Sequence, residues 1–234
     1  MTGMKTVLAI GAHIGDMDLT AGPMLAEHIL GGGRAVILAL TPGERGHPKL
    51  DPDTYKKQKL AEGRQFAHDI GAEFACFDDL SDGYLTTGDE VAERIAALIR
   101  DIRPHTVIAH WRHSIHSDHE NASVLAERAR FLAGLPQQGL TRHPVTALYY
   151  AENWEDAEGF TPSRYVPVSA AAYDAWRAAI AEQAFARGET YGFRYIDYYT
   201  AQMTMRGCLA GTERACALAF PSHERPAVTP LRAG

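Results

Sequence analysis

The stretch Leu8-Ala-Ile-Gly-Ala-His13-Ile-Gly-Asp16-Met-Asp18 sets the strongest limit on how this chain can fold. An apolar run stops abruptly at glycine, histidine and two carboxylates. An apolar run bounded by a turn signal is the pattern of a buried strand. Polar groups placed where such a strand ends sit at the rim of a sheet, where open α/β folds bind ligands. A second polar knot, His113-Ser-Ile-His116-Ser-Asp118-His119, follows another apolar run, Thr106-Val-Ile-Ala-His110. Two strand ends, each carrying histidine and aspartate, can build one three-ligand metal site with a position left open for water.

The rest of the chain supplies the alternation that such a sheet requires. Strands are expected at residues 5–10, 35–40, 73–77, 106–110, 147–151 and 164–168. Helices are expected at 18–30, 54–70, 87–100, 118–133, 170–187 and 199–209. Asp53 is the expected cap of the second helix. Thr87 with Glu90, and Ser117 with Glu120, have capping-box spacing. Strands alternating with helices imply parallel βαβ units with right-handed crossovers, hence an α/β fold with a mostly parallel sheet and helices on both faces. The 234 residues suit a single domain, 1–234. Its core is expected at 1–151, a C-terminal elaboration at 152–220 and a loose, proline-rich tail at 221–234.

Charge and cysteine content narrow the function. A net charge of −6 with no basic block argues against nucleic acid, whose phosphates demand clustered Lys and Arg. No apolar run approaches the ~20 residues of a membrane span. Three cysteines without paired spacing fit a reducing cytosol. The first strand begins almost at once, leaving no room for a signal peptide, so the expected location is cytoplasmic. The partner expected is a small-molecule substrate, with a homo-oligomer left open. The aromatic segment 191–199 suits packing or a subunit interface first, and a sugar-stacking surface second. A dinucleotide site lacks its glycine fingerprint.

Neutral imidazole and carboxylate suit zinc, and also iron(II) or manganese. His13, Asp16 and His119 are the candidate ligands. His116 would stand beside the metal to stabilise an oxyanion or protonate a leaving amine. Asp118 would hold the His116 ring through its other nitrogen. His110 and His113 serve as ordinary strand and loop histidines or as neighbours of the site.

Ala12-His13-x-x-Asp16 with His116-x-Asp118-His119 resembles the LmbE-like, or PIG-L, family of metal-dependent N-deacetylases. Thr41-Pro-Gly-Glu44-Arg45-Gly46, the Asp82-Gly83 loop and the segment from Met205-Arg206-Gly207 to Ala219-Phe220 are similar to further family segments in the same order. The resemblance implies a Rossmann-like fold, a zinc ion on His13, Asp16 and His119, a transition-state role for His116 supported by Asp118, and hydrolysis of an N-acetyl group on an amino sugar. One departure stands out. The family motif is Ala-His-Pro-Asp-Asp, whose first aspartate is the general base, and here that position is Gly15. Losing a general base costs about 10² to 10⁴-fold in rate. Asp18, Glu44 and Asp118 are the carboxylates that could substitute. Glu44 is slightly favoured, although an ion pair with Arg45 competes for it. Arg45 is the candidate substrate-binding residue. Gly15 fits a different reaction or substrate, a silent protein that keeps its metal, or added room for a bulky substrate group. The leading expectation is a zinc-dependent amidase acting on an N-acyl bond.

Overall fold

The computed structural model describes residues 5–221. Seven strands form one sheet in the order β3-β2-β1-β4-β5-β7-β6. They are β1 (Thr6–His13), β2 (Arg34–Thr41), β3 (Glu73–Cys76), β4 (Thr106–Ala109), β5 (Ala147–Ala151), β6 (Arg164–Pro167) and β7 (Ala215–Ala219). The first five are parallel, and β7 runs antiparallel to both β5 and β6. The fold is the expected mixed α/β architecture with a mostly parallel sheet. Its order reverses between β1 and β4, and the crevice at such a switch point is where open α/β sheets bind ligands.

Alternation along the strands assigns the two faces. Ala9, Ile37, Ile108 and Tyr149 enter one buried cluster with Met24, Phe66, Trp176 and Tyr199. These come from α2 (Gly22–Leu30), α3 (Pro52–Ile70), α6 (Ala170–Ile180) and α7 (Tyr195–Ala210). Leu8, Ile10, Leu38 and Val107 face the other way and join Ile95, Ile99, Leu125 and Ala129. Those belong to α4 (Asp89–Ile102) and α5 (Ser117–Gly134). The central strands are therefore buried on both sides, which explains their nearly continuous apolar runs.

Several boundaries differ from expectation for identifiable reasons. The helix expected at 18–30 is two: α1 (Asp16–Thr20) and α2, parted at Ala21, with Pro23 in the first turn of α2. Asp51, not Asp53, caps α3, its Oδ1 accepting the Thr54 N–H at 3.0 Å. Neither expected capping box forms: Gly88 precedes α4, and the His116 ring caps α5. The helix from Ala170 ends at Ile180, and α7 starts four residues earlier than expected, at Tyr195. Strand β7 was not expected at all. It slots between β5 and β6, so residues after 152 extend the sheet. Apart from Pro221, the proline-rich tail lies outside the described residues.

Candidate metal centre and active-site cavity

His13 is the last residue of β1 and pairs in register with Thr41, the last of β2. The chain then turns through Gly15, at φ +111°, into α1. That turn brings the Asp16 carboxylate back under His13, where Oδ2 accepts the His13 N–H at 2.7 Å. From the other side of the switch point, His119 rises on the first turn of α5. The His13 Nδ1 lies 3.4 Å from Asp16 Oδ2, and the His119 Nε2 lies 3.6 Å from the same oxygen. The three predicted ligands therefore converge.

The remote ring nitrogens decide which lone pairs are available. His13 Nε2 lies 3.1 Å from Asp82 Oδ1 and 3.3 Å from Asp118 Oδ2. His119 Nδ1 donates to Asp156 Oδ1 at 2.9 Å. Each carboxylate can hold a proton on the far nitrogen, which would leave the near nitrogen free to turn its lone pair to a cation bound beside Asp16. Carboxylates behind histidine ligands are the usual way metal sites fix the tautomer. Burial disfavours a charged His13, yet Asp16, Asp118 and Asp82 together hold its pKa well above the ordinary imidazole value. A group of carboxylates that retains a proton so firmly is a place that favours a cation. The donor set fits a divalent metal with mixed nitrogen and oxygen ligands.

His110, one residue beyond β4, is fully buried behind this set. Its Nε2 lies 3.0 Å from Asp16 Oδ2 and its Nδ1 lies 2.8 Å from Asp156 Oδ2. Burial opposes charge on this ring too, but Asp156 and Asp16 raise its pKa to about 9. His116 caps α5: its Nδ1 accepts the Asp118 N–H at 3.2 Å. The neutral ring must then carry its proton on Nε2. His116 lines the cavity beside the metal site.

The other candidates fall as follows. The Asp118 carboxylate meets His13 and the N–H groups of Gly83 and Leu85, at 2.7 and 3.3 Å, rather than the His116 ring; its link to His116 is through the main chain. Glu44 does not face the cavity. Its carboxylate accepts the Ser81 hydroxyl at 2.7 Å and the Asp82 N–H at 3.1 Å, so it props the loop that presents Asp82. Arg45 Nε is 3.7 Å from Glu44 Oε1 and donates to Ser81 Oγ at 2.9 Å, outside the cavity lining. Asp18 is buried, accepts from Gln183 Nε2 at 2.6 Å and is pushed up to about 7 by burial. Gly15 does not open room for substrate. A Cβ built there would meet the Phe185 ring at 2.4 and 2.7 Å.

A cavity of about 410 Å³ opens over the candidate ligands. His13, Asp16, Asp82, His116 and His119 form its floor, and Trp154, Phe185, Tyr191, Phe193, Tyr195 and Tyr199 wall it. Tyr191, Phe193, Tyr195 and Tyr199 of the aromatic segment thus line the cavity, while Tyr199 also packs in the buried core, as the packing expectation has it. Lys59, Asn153 and Glu155 complete its polar lining. Sequence reasoning left Asp156, Glu155 and Lys59 unremarked. Both acids follow β5 at the same rim as the two polar knots, so the rule applied to β1 and β4 would have found them. Lys59 interrupts the buried stripe Tyr55, Gly63, Phe66, Ala67 and Ile70 of α3, which is a legible anomaly.

Known proteins share this arrangement of chain. The 4-oxalmesaconate hydratase of Pseudomonas putida (strain KT2440) is 27% identical over 140 residues, covering 56% of this chain and 54% of that protein. The match thus spans about half of the relative's length. The crystal structure of GalB, the 4-carboxy-2-hydroxymuconate hydratase of Pseudomonas putida KT2440, superposes with a TM-score of 0.86 at 24% identity, covering 98% of this chain and all of that one. The N,N'-diacetylchitobiose deacetylase of Pyrococcus horikoshii gives a TM-score of 0.78 at 16% identity, over 94% of this chain and 84% of that one. Among the described residues no helix is long and apolar enough to cross a membrane. Residues 8–130 match the family described as PIG-L: GlcNAc-PI de-N-acetylase, and the chain belongs to that family.

Proposed function

We propose that this protein is a metal-dependent enzyme that hydrolyses an N-acyl bond, with N-acetyl on an amino sugar or sugar-like amine as the leading substrate class. The observation that carries the proposal is the convergence of His13, Asp16 and His119 on one point, with a carboxylate behind each imidazole. A divalent metal held by these three residues supplies Lewis acidity to a water molecule and to a carbonyl oxygen. Zinc is the leading candidate, with iron(II) or manganese as the alternatives in the cell.

The chain's own groups do the remaining work. Neutral His116 offers an Nε2–H to the oxygen that becomes negative as water adds, and the same proton can pass to the departing nitrogen. Asp118 holds His116 through its main-chain N–H and His13 through its carboxylate. With Gly15 bare, the carboxylates left on the cavity wall outside the ligand set are Asp82 and Glu155. Asp82 is already occupied by His13, so Glu155 is the acceptor for the proton of the attacking water. The aromatic wall excludes bulk water and stacks the substrate.

A second reading is hydration of a conjugated carbon–carbon double bond. Gly15 under the Phe185 ring favours it, because the acid that the family's deacetylase motif uses has no room here. Both readings add water, and they differ in whether an acyl group leaves. The test is acetate release from a panel of N-acetylated amino sugars and amines, run beside ultraviolet loss from conjugated enol carboxylates. Acetate release that falls sharply in Glu155→Gln and His116→Ala, with metal retained, supports the first reading. Hydration without acetate release replaces it with the second. Tight metal with neither activity leaves a silent metal-binding protein and overturns both.

A further inference from the structure

We infer that Lys59 is an anion-binding group in the cavity, and that the molecule bound there carries a carboxylate or similar anionic group in addition to the group that reacts. The inference rests on the reading that this cavity receives the substrate.

Lys59 is on α3, only 4% exposed, yet it lines the cavity. Helix α3 approaches the turn after β1 closely: a Cβ on Gly63 would come within 2.7 Å of Ile14. One helical turn earlier, the Lys59 ammonium therefore stands beside Gly15, with Nζ 3.3 Å from where a Gly15 Cβ would be. It lies 3.8 Å from the centroid of the Phe185 ring, a cation–π distance. That contact aims the ammonium and leaves its hydrogen-bonding capacity unused. Among the described residues it has no hydrogen-bond acceptor and no carboxylate within 4.0 Å.

Acids that would neutralise a purely structural lysine are nearby but committed elsewhere or unused. Asp18 is taken by Gln183. Glu62, three residues along the same helix, turns Oε1 to the Ala184 N–H and leaves Oε2 without a partner. Burial lowers the Lys59 pKa, and Glu62 and Asp18, then Asp16 and Asp82, oppose this through space without accepting a hydrogen bond from the ammonium. A buried ammonium without an acceptor is costly unless something supplies one. Among the residues lining the cavity, Lys59 is the one lysine or arginine. Its ammonium stands beside the position at which the related motif carries an acid. An anionic substituent on the substrate, seated over the metal site, completes it.

The test uses the metal-loaded protein and a series of simple α,ω-dicarboxylates, malonate to adipate, each compared with its monoamide. One carboxylate, common to both partners of a pair, can go to the metal. The second is the probe of Lys59. Isothermal titration should show, for at least one chain length, that the diacid binds about 10- to 100-fold more tightly than its monoamide, the worth of a hydrogen bond to a buried charge. Lys59→Met should remove that preference while keeping metal and monoamide binding. If Lys59→Met folds poorly, the ¹⁵N shift of the Lys59 ammonium in the wild-type protein reads the same contact, moving with the diacid and not with the monoamide. No preference at any length, a preference that survives in Lys59→Met, or an unmoved ammonium overturns the inference. The binding readout is independent of turnover, so absent amide hydrolysis refutes the proposed reaction without touching this result.

Discussion

Adding one methyl group at Gly15 is expected to destabilise the protein by about 2–6 kcal/mol. Two separate costs make up that figure. The backbone at Gly15 has φ +111° and ψ −29°, a combination that L-residues rarely adopt. Holding a non-glycine residue there costs about 1–3 kcal/mol. The methyl would also meet Phe185 at 2.4 and 2.7 Å, where no real Cβ contact lies. Forcing such a group into a packed core costs about 1–3 kcal/mol more. Against a total stability of about 5–15 kcal/mol, Gly15→Ala is a severe lesion for one carbon atom.

The measurement is equilibrium unfolding in urea of four proteins: wild type, Gly15→Ala, Phe185→Leu and the double variant. Leucine lacks the ring atoms that the methyl meets, so it removes the collision and leaves the backbone cost in place. Gly15→Ala should then be cheaper by about 1–3 kcal/mol in the Phe185→Leu background than in wild type. Equal costs in the two backgrounds would show that the ring does not close this position. A Gly15→Ala change within about 0.5 kcal/mol of wild type would refute the whole argument, strain included. The same geometry predicts that Gly15→Asp does not act as a restored base while Phe185 stays in place. A gain in amide hydrolysis by that single variant would mean that the ring yields.

Three further outcomes are expected. His119→Ala should lose the metal, whereas His116→Ala should keep it and lose about 10² to 10⁴-fold in turnover; equal metal loss in both would exchange their roles. Asp156→Asn places an amide N–H₂ among ring N–H donors of His110 and His119, and should weaken metal affinity about 10- to 100-fold by chelator competition, an unchanged affinity refuting the tautomer argument. Burial pushes the thiols of half-buried Cys76 and buried Cys216 up to about 12, while Cys208 is exposed, so a maleimide should label Cys208 rapidly in the native protein, Cys76 far more slowly and Cys216 only on unfolding; fast labelling of Cys216 would refute its burial.

The sequence made the sheet legible where strands are buried on both faces, because β1, β2, β4 and β5 read as continuous apolar runs. It hid β7, whose Ala-Cys-Ala-Leu-Ala has little strand propensity of its own and is held by neighbours on both sides. The candidate ligands were legible because His13 and Asp16 follow the apolar run of β1 directly and His119 lies in the polar knot that follows β4. The cap of α5 was not: an imidazole in place of the Ser117 hydroxyl follows from the loop that also aims His116 at the cavity. Glu44 illustrates the limit of placing a loop acid by its strand. Its position at the end of β2 was foreseeable, but its direction depends on Ser81 and Asp82 of another loop. Asp156 follows the end of β5 at the same rim, so its position was legible, but its contacts with His110 and His119 depend on the fold.

Gly15, Phe185 and Lys59 are best understood as one unit. From the sequence, Gly15 could only register as a missing acid. In the fold, Phe185 comes from the segment after α6, fills the space over Gly15 and offers its ring face to the Lys59 ammonium. An aspartate at position 15 would collide with the ring and would also pair with Lys59, cancelling the charge that faces the cavity. The absence of the acid and the presence of the buried lysine are therefore not independent. The corner lacks that acid and has Lys59 beside it, which suits the anion proposed above, while His13, Asp16 and His119 lie around a common centre. Restoring the acid alone is for that reason a poorer way to raise amide hydrolysis than changing all three residues together, because each of the other two opposes it.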